Sequence, residues 1–191
     1  AVAALAALLL LNGCQSTLDA AKKLPEPSPA VADLVDYRQG LALLREGRVD
    51  EALQQLGSAR AAYPRSAEVA NALGLAYLYR KDHRNATKLF AEALALDENL
   101  VEAKNNRGVA AMEAGRFEDA EKDFNEVLSG TRTSEHVKAR FNLGLLRARQ
   151  LRWADAEREL TTVLADDPGY LNAARERGLA RMKLEDFRGA L

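Results

Sequence analysis

One repeat runs through most of this 191-residue chain and constrains its fold more than any other feature. A glycine recurs with spacings of 34, 34, 36 and 34 residues, at Gly40, Gly74, Gly108, Gly144 and Gly178. An alanine recurs with the same four spacings, at Ala52, Ala86, Ala120, Ala156 and Ala190. Both series share one two-residue insertion, so they mark a single repeating unit. Periods of this length are typical of arrays of helical hairpins.

The residues around each alanine predict how one unit packs. A bulky apolar residue stands four positions after the alanine, at Leu56, Phe90, Phe124 and Leu160. A smaller one stands seven positions after it, at Ala59, Ala93, Val127 and Val163. This spacing gives the second helix one apolar stripe. Gly74 and Ala86 are predicted to supply the close contact between the two helices, because small residues let helix backbones approach. One hairpin cannot bury its apolar face alone, so neighbouring hairpins must stack.

The chain resembles the tetratricopeptide repeat family from about residue 33 to its end. The resemblance is carried by the glycine and alanine series, the Phe or Leu series, Tyr77, Pro64 and Pro168. It implies an all-α fold, a right-handed superhelical solenoid of antiparallel helix pairs with four full repeats and a truncated fifth. The implied repeats are residues 33–66, 67–100, 101–134, 137–170 and 171–191.

Three residues depart from the family pattern. Arg107 stands where a leucine is usual, and Glu98 and Arg132 stand where a proline is usual. These departures are expected to weaken individual turns without changing the fold.

Local signals place the helices within the repeats. In the first repeat they predict helices near Leu34–Glu46 and Asp50–Ala62, with Gly47 ending the first one. An aromatic residue recurs just before the second helix and is interpreted as packing between repeats, at Phe117, Trp153 and Phe187. The sequence stops one residue after the fifth alanine. Because a solenoid needs a capping element, the natural protein is expected to continue beyond this point.

The start of the chain has the features of an export signal. Residues 1–11 are an apolar run that is too short to span a bilayer as a helix, and the run fits a secretory signal peptide over residues 1–13 that lacks its first residues. Leu11-Asn12-Gly13-Cys14 resembles the lipobox of bacterial lipoproteins, which implies that Cys14 is lipidated. Cys14 is the only cysteine, so an internal disulfide is excluded. The alternatives are a plain signal peptide with an incidental cysteine, or an N-terminal core helix.

The segment after Cys14 has the composition of a tether. Pro25, Pro27 and Pro29 prevent a regular helix and favour an extended spacer over residues 14–32. The lipoprotein resemblance implies that Gln15, rather than an aspartate, directs the protein to the periplasmic face of the outer membrane of a bacterium.

The sequence contains no recognisable catalytic or cofactor-binding arrangement. His83 is predicted in a turn and His136 in the loop after the third repeat, with no second ligand at metal-binding spacing. Phosphate-binding glycine motifs are absent, and neither a metal nor another cofactor is predicted. Acidic and basic residues balance to a net charge of −1 without a basic stripe, which excludes nucleic acid as the expected partner. The chain is therefore predicted not to be an enzyme.

The tetratricopeptide resemblance implies a concave groove, lined by the first helices, that holds a peptide or a helix. The residues placed on or beside it are Glu68, Asn71, Glu102, Asn105, Asn106, Lys138, Phe141, Asn142, Asn172 and Arg175. Asparagine has a mediocre helix propensity, so five asparagines on one face suggest amides that bind a partner's backbone. The alternative is that these amides bond to the neighbouring repeat.

A narrower resemblance is to the pilotins, the lipoproteins of type IV pilus biogenesis. It is carried by Asn105-Asn106-Arg107-Gly108, by the lengthened junction after the third repeat, and by Asn142-Leu143-Gly144-Leu145. It implies a membrane-anchored scaffold whose partner is the pilus secretin. The alternatives are a lipoprotein scaffold for peptidoglycan enzymes, outer-membrane assembly or another secretion system, and the repeat part of a larger enzyme.

Overall fold

The computed structural model describes residues 34–130 and 133–189. The signal peptide, Cys14, the proline-rich tether and Ala190 lie outside these ranges. Every element of regular structure in the two described ranges is an α-helix. None of these helices combines the length and the apolarity needed to cross a bilayer.

The described helices fall into two compact units, divided between Leu100 and Val101. The first unit contains α1 to α4, which are Val35–Arg45, Val49–Ala62, Ala67–Tyr79 and His83–Leu96. The second contains α5 to α9, which are Val101–Glu113, Phe117–Ser129, Ser134–Arg149, Trp153–Asp166 and Leu171–Gly189. Within each unit, the two helices of a hairpin pack together and adjacent hairpins stack. The predicted bounds of the first two helices differ from the observed ones by only one residue.

The turns inside the hairpins use one geometry. The residue two positions before the start of the second helix adopts a left-handed backbone: Gly47 at φ +76, Lys81 at +65, Gly115 at +77 and Leu151 at +60. The next amide then donates back to a carbonyl five residues earlier, as from Arg116 N to Ala111 O at 2.8 Å. This bond satisfies a carbonyl that the helix end leaves free. A left-handed backbone suits glycine and is strained for leucine.

The histidines begin helices instead of lying in loops. His83 is the first residue of α4, and His136 lies in the first turn of α7. His136 Nδ1 accepts from the Thr133 amide at 3.0 Å, which completes a capping box at the start of α7. The predictions of a turn and a loop were wrong by one to three residues, because Asp82 caps a helix that begins at His83 and the Thr133–His136 capping box starts α7.

The glycines make contact with the bulky residues of the second helices. A Cβ placed on Gly74 would lie 2.8 Å from the Phe90 ring, and one placed on Gly108 would lie 2.6 Å from Phe124. Gly40 and Gly144 face Leu56 and Leu160 in the same way. The three atoms nearest to this Cβ position on Gly74 belong to Phe90 and Leu89. The contact of Gly74 with Ala86 stays a prediction. The alanines Ala52, Ala86, Ala120 and Ala156 are fully buried.

The described residues of the fifth repeat form one helix. Helix α9 runs without a break from Leu171 to Gly189, through the point where a turn before Phe187 was predicted. Glu185 stands where the other repeats have their left-handed residue, and here it stays helical.

Candidate partner-binding face

The ten predicted groove residues are divided between the two units. Glu68 and Asn71 lie on α3 in the first unit, and the other eight lie on α5, α7 and α9 in the second. Within the second unit, α7 contacts both α5 and α9, so its three first helices form one continuous layer. We call the partly exposed residues of this layer the polar face: Glu102, Asn106, Lys138, Asn142, Asn172 and Arg175.

Asn105 is the centre of a buried hydrogen-bond network. Its side chain is only 4% exposed. Its Nδ2 donates to Glu135 Oε2 at 3.3 Å, and its Oδ1 accepts from Asn142 Nδ2 at 3.0 Å. Glu135 is itself buried and forms an ion pair with Lys138. These bonds join α5 to α7, so the Asn105 amide bonds to the neighbouring repeat rather than facing a partner.

Two further predicted groove residues are also buried. Asn71 is 5% exposed on α3. Phe141 is 3% exposed, and its ring centre lies 5.0 Å from that of Tyr170. Phe141 packs with Leu160, Val163 and Ala173 in a hydrophobic cluster of the second unit. Burial removes these side chains from the surface that a partner can reach, and the role of the exposed residues in binding stays a prediction.

Arginine–carboxylate pairs connect first helices to second helices within the second unit. Arg107 donates to both oxygens of Asp123, Nε to Oδ2 at 2.9 Å and Nη2 to Oδ1 at 2.6 Å. Arg147 on α7 pairs with Glu121 on α6, with Nη1 2.7 Å from Oε2. This hydrogen bond to Arg147 lowers the pKa of Glu121 below its ordinary value. Asp123, Glu121 and Glu135 were missed by sequence reasoning, although Arg107 in a leucine position was a signal that a carboxylate lay opposite.

The described ranges contain no group of three or more His, Cys, Asp or Glu side chains that could hold a metal ion. Trp153 is buried as the first residue of α8, and Phe117 is half-buried as the first residue of α6. The Phe187 side chain lies outside the described part of the chain.

The family is shown by comparison with known proteins. The tetratricopeptide repeat model matches residues 37–101, 71–135 and 105–169, which together run from residue 37 to residue 169. This is more than half of the 191 residues, so the chain belongs to the tetratricopeptide repeat family. The predicted all-α fold is confirmed. Proteins with this fold bind peptides or other proteins. No curated protein gives a significant match to the sequence.

Several solved structures share the fold. Pseudomonas aeruginosa pilF is 23% identical, with a TM-score of 0.70 over 92% of this chain and 72% of that chain. A thermophilic tetratricopeptide repeat protein of Thermus thermophilus is 18% identical, with a TM-score of 0.70 over 77% of this chain and 80% of that chain. The Cut9–Hcn1 assembly of the APC/C is 19% identical, with a TM-score of 0.68 over 76% of this chain. The chain spans only 29% of that last relative. Identities this low establish the fold alone.

Proposed function

We propose that this chain is a non-enzymatic scaffold, held at the periplasmic face of the bacterial outer membrane by lipidated Cys14, that assists assembly of a type IV pilus secretin. The polar face of the second unit is the surface that binds the secretin. The proposal has three parts, which are the binding face, the partner and the anchor.

The binding face is inferred from the difference in exposure between residues on the first helices of the second unit. Asn105 and Phe141 are buried, whereas the six residues of the polar face keep part of their surface exposed. The Asn105–Asn142 and Asn105–Glu135 bonds fix the helices beneath this face. A layer of partly exposed amides and charges that is fixed in this way loses little conformational entropy when a partner binds.

The partner is supported by similarity. The fold of Pseudomonas aeruginosa pilF extends over 92% of this chain. The two motifs that resemble those of pilotins, one beginning at Asn105 and the other at Asn142, meet through the hydrogen bond between these two residues. In this chain, a side-chain hydrogen bond therefore connects the two motifs.

The test of the face compares two substitutions of the same kind in one repeat. Asn106→Arg changes a half-buried residue on α5, and Asn125→Arg changes an exposed residue on α6, the second helix of that hairpin. We expect Asn106→Arg to reduce secretin recovered by cross-linking from the protein's own cells by about tenfold, the effect of losing about 1.4 kcal/mol of binding free energy. Asn125→Arg should leave recovery unchanged.

Three other outcomes contradict the proposal in different ways. Equal losses in both variants place binding elsewhere than on the polar face. Recovery of cell-wall enzymes without secretin removes the pilus role and leaves the scaffold. Failure to recover any protein at wild-type expression removes both.

The anchor is tested separately. Cys14→Ser removes the thiol to which lipid is attached, and we expect the variant to leave the membrane fraction for the soluble periplasmic fraction. The reason is that several acyl chains hold a protein stably on a bilayer, whereas without them no described helix can span it. Fractionation with immunoblotting measures this, and Ser16→Ala is a matched control in the same segment. Retention of the Cys14→Ser variant in membranes would refute the anchor.

A further inference from the structure

Arg149, the last residue of α7, differs from the two paired arginines described above. Arg107 and Arg147 each donate to a carboxylate, and this bonding raises the pKa of both guanidinium groups. Arg149 forms no ion pair with a described carboxylate, and burial lowers its pKa below the ordinary value. Its one hydrogen bond in the described ranges runs from Nη1 to Met112 O, at 3.3 Å. Among the described residues, Arg149 is therefore a partly desolvated cation that no carboxylate contacts.

Capping of α5 does not account for this arrangement. Arg149 lies beside the C-terminal end of α5, where a cation is favourable. However, Met112 O already accepts from the Gly115 amide at 3.1 Å, so this carbonyl has a partner without Arg149. Glu113 is the acidic residue whose charge acts on Arg149, but the two side chains form no ion pair. The bond to Met112 uses one of five guanidinium N–H donors, so most of the donors remain for a ligand.

Arg149 lies on the same side of α7 as the polar face. The partly exposed residues of this stripe are Lys138, Asn142, Leu145 and Arg149. Their spacing of four, three and four residues places them on one side of a helix. Arg149 stands seven residues, or about 10 Å along the helix axis, beyond Asn142. Helix α7 contacts both α5 and α9, so the stripe has a neighbouring first helix on each side.

We propose that Arg149 binds a carboxylate of the protein that is held on the polar face. A guanidinium recognises a carboxylate through two parallel N–H···O bonds, as Arg107 does with both oxygens of Asp123. Partial desolvation of Arg149 strengthens such a pair, because water screens the two charges less. The identity of the partner rests on the proposed function, whereas the requirement for a carboxylate follows from Arg149 itself.

The proposal predicts opposite effects on stability and binding. Arg149→Met removes a desolvated charge and keeps an unbranched side chain, so we expect the Tm of the purified protein to rise by about 2–4 °C. The same change should reduce the secretin recovered by cross-linking by about tenfold or more, because a charge-assisted bond is lost. Arg147→Met is the matched control on the same helix. It leaves Glu121 without this cation, so Tm should fall by about 2–4 °C while recovery stays unchanged.

A zero-length cross-link tests the contact itself. Carbodiimide joins an amine to a carboxylate only where the two groups touch, and Arg149→Lys places an amine at this site. Treatment of membranes from cells that carry this variant should couple position 149 to one carboxylate of the secretin. Mass spectrometry of the linked peptides then shows whether this carboxylate is an Asp or Glu side chain or the end of the chain. Arg147→Lys is the matched control, which should give only the internal link to Glu121.

Three results would overturn the inference. A lower Tm in Arg149→Met, as in Arg147→Met, would make Arg149 a structural cap of α5. Unchanged secretin recovery in Arg149→Met would remove this residue from the binding face. A carbodiimide link from position 149 to Glu113 alone would make Glu113 its partner. If position 149 is instead linked to a carboxylate of a different envelope protein and no secretin is recovered, the secretin proposal fails and this inference stands.

Discussion

Replacing Arg107 with leucine is expected to lower the free energy of unfolding by about 1–3 kcal/mol, the cost of leaving the buried Asp123 carboxylate without its hydrogen-bond donors. Asp123 is only 5% exposed on its side chain, and Arg107 provides both of its ionic hydrogen bonds. The same pairing raises the pKa of Arg107, so the guanidinium is charged at every pH at which the protein folds. Leucine at this position leaves a carboxylate between two helices without a cation.

The double variant Arg107→Leu with Asp123→Leu is expected to recover stability to within about 1 kcal/mol of the wild type, because replacing both members of a buried ion pair with apolar residues is often neutral. The second repeat already has leucines at these two positions, Leu73 and Leu89. Chemical denaturation followed by circular dichroism measures both variants. The exposed pair of Arg116 and Asp119 is the matched control, and Arg116→Leu should cost less than about 1 kcal/mol. Equal losses in the single and the double variant would show that the two leucines do not fit this hairpin.

The period of the sequence was sufficient to predict the fold. Each repeat needs small residues where its helices make close contact and apolar residues along one stripe. Both kinds of residue therefore recur at fixed spacing in the sequence. The first two helices could therefore be placed to within one residue of Val35–Arg45 and Val49–Ala62. The pattern did not show which residue lies opposite the glycine. That depends on how far the second helix is rotated about its axis, and the rotation brings Phe90 and Leu89 nearest to the Cβ position of Gly74.

The polar residues were harder to predict than the fold. The sequence placed Asn105 and Asn142 on the first helices, but it could not decide between bonding to a partner and bonding to the next repeat. That decision depends on where Glu135 lies, and Glu135 follows a junction whose middle residues do not obey the period. Arg107 was recognised as unusual, and a search for a carboxylate sixteen residues later would have found Asp123. Such pairs leave no periodic signal, because each occurs in only one repeat.

The glycine series gives a second large effect. Gly108→Ala is expected to lower the free energy of unfolding by about 1–3 kcal/mol, the usual cost of adding a carbon to a well-packed core. The added Cβ would lie 2.6 Å from Cε1 and 2.9 Å from Cδ1 of Phe124. The Phe124 ring is fully buried, so it cannot move aside without displacing its neighbours.

Gly178→Ala is the matched control, with the same substitution at the same repeat position. In the 191-residue chain a Cβ here would meet nothing within 4 Å, so only the better helix propensity of alanine remains. We expect this variant to gain about 0.5–1 kcal/mol, since glycine in a helix interior costs that amount relative to alanine. The difference between the two variants, measured by denaturant unfolding in one buffer, isolates the steric contact from the effect on the backbone. If both variants were stabilised alike, contact with the second helix would not be the reason for glycine at this position. Opposite signs would show that the repeat retains glycine for packing, at a cost to the helix that carries it.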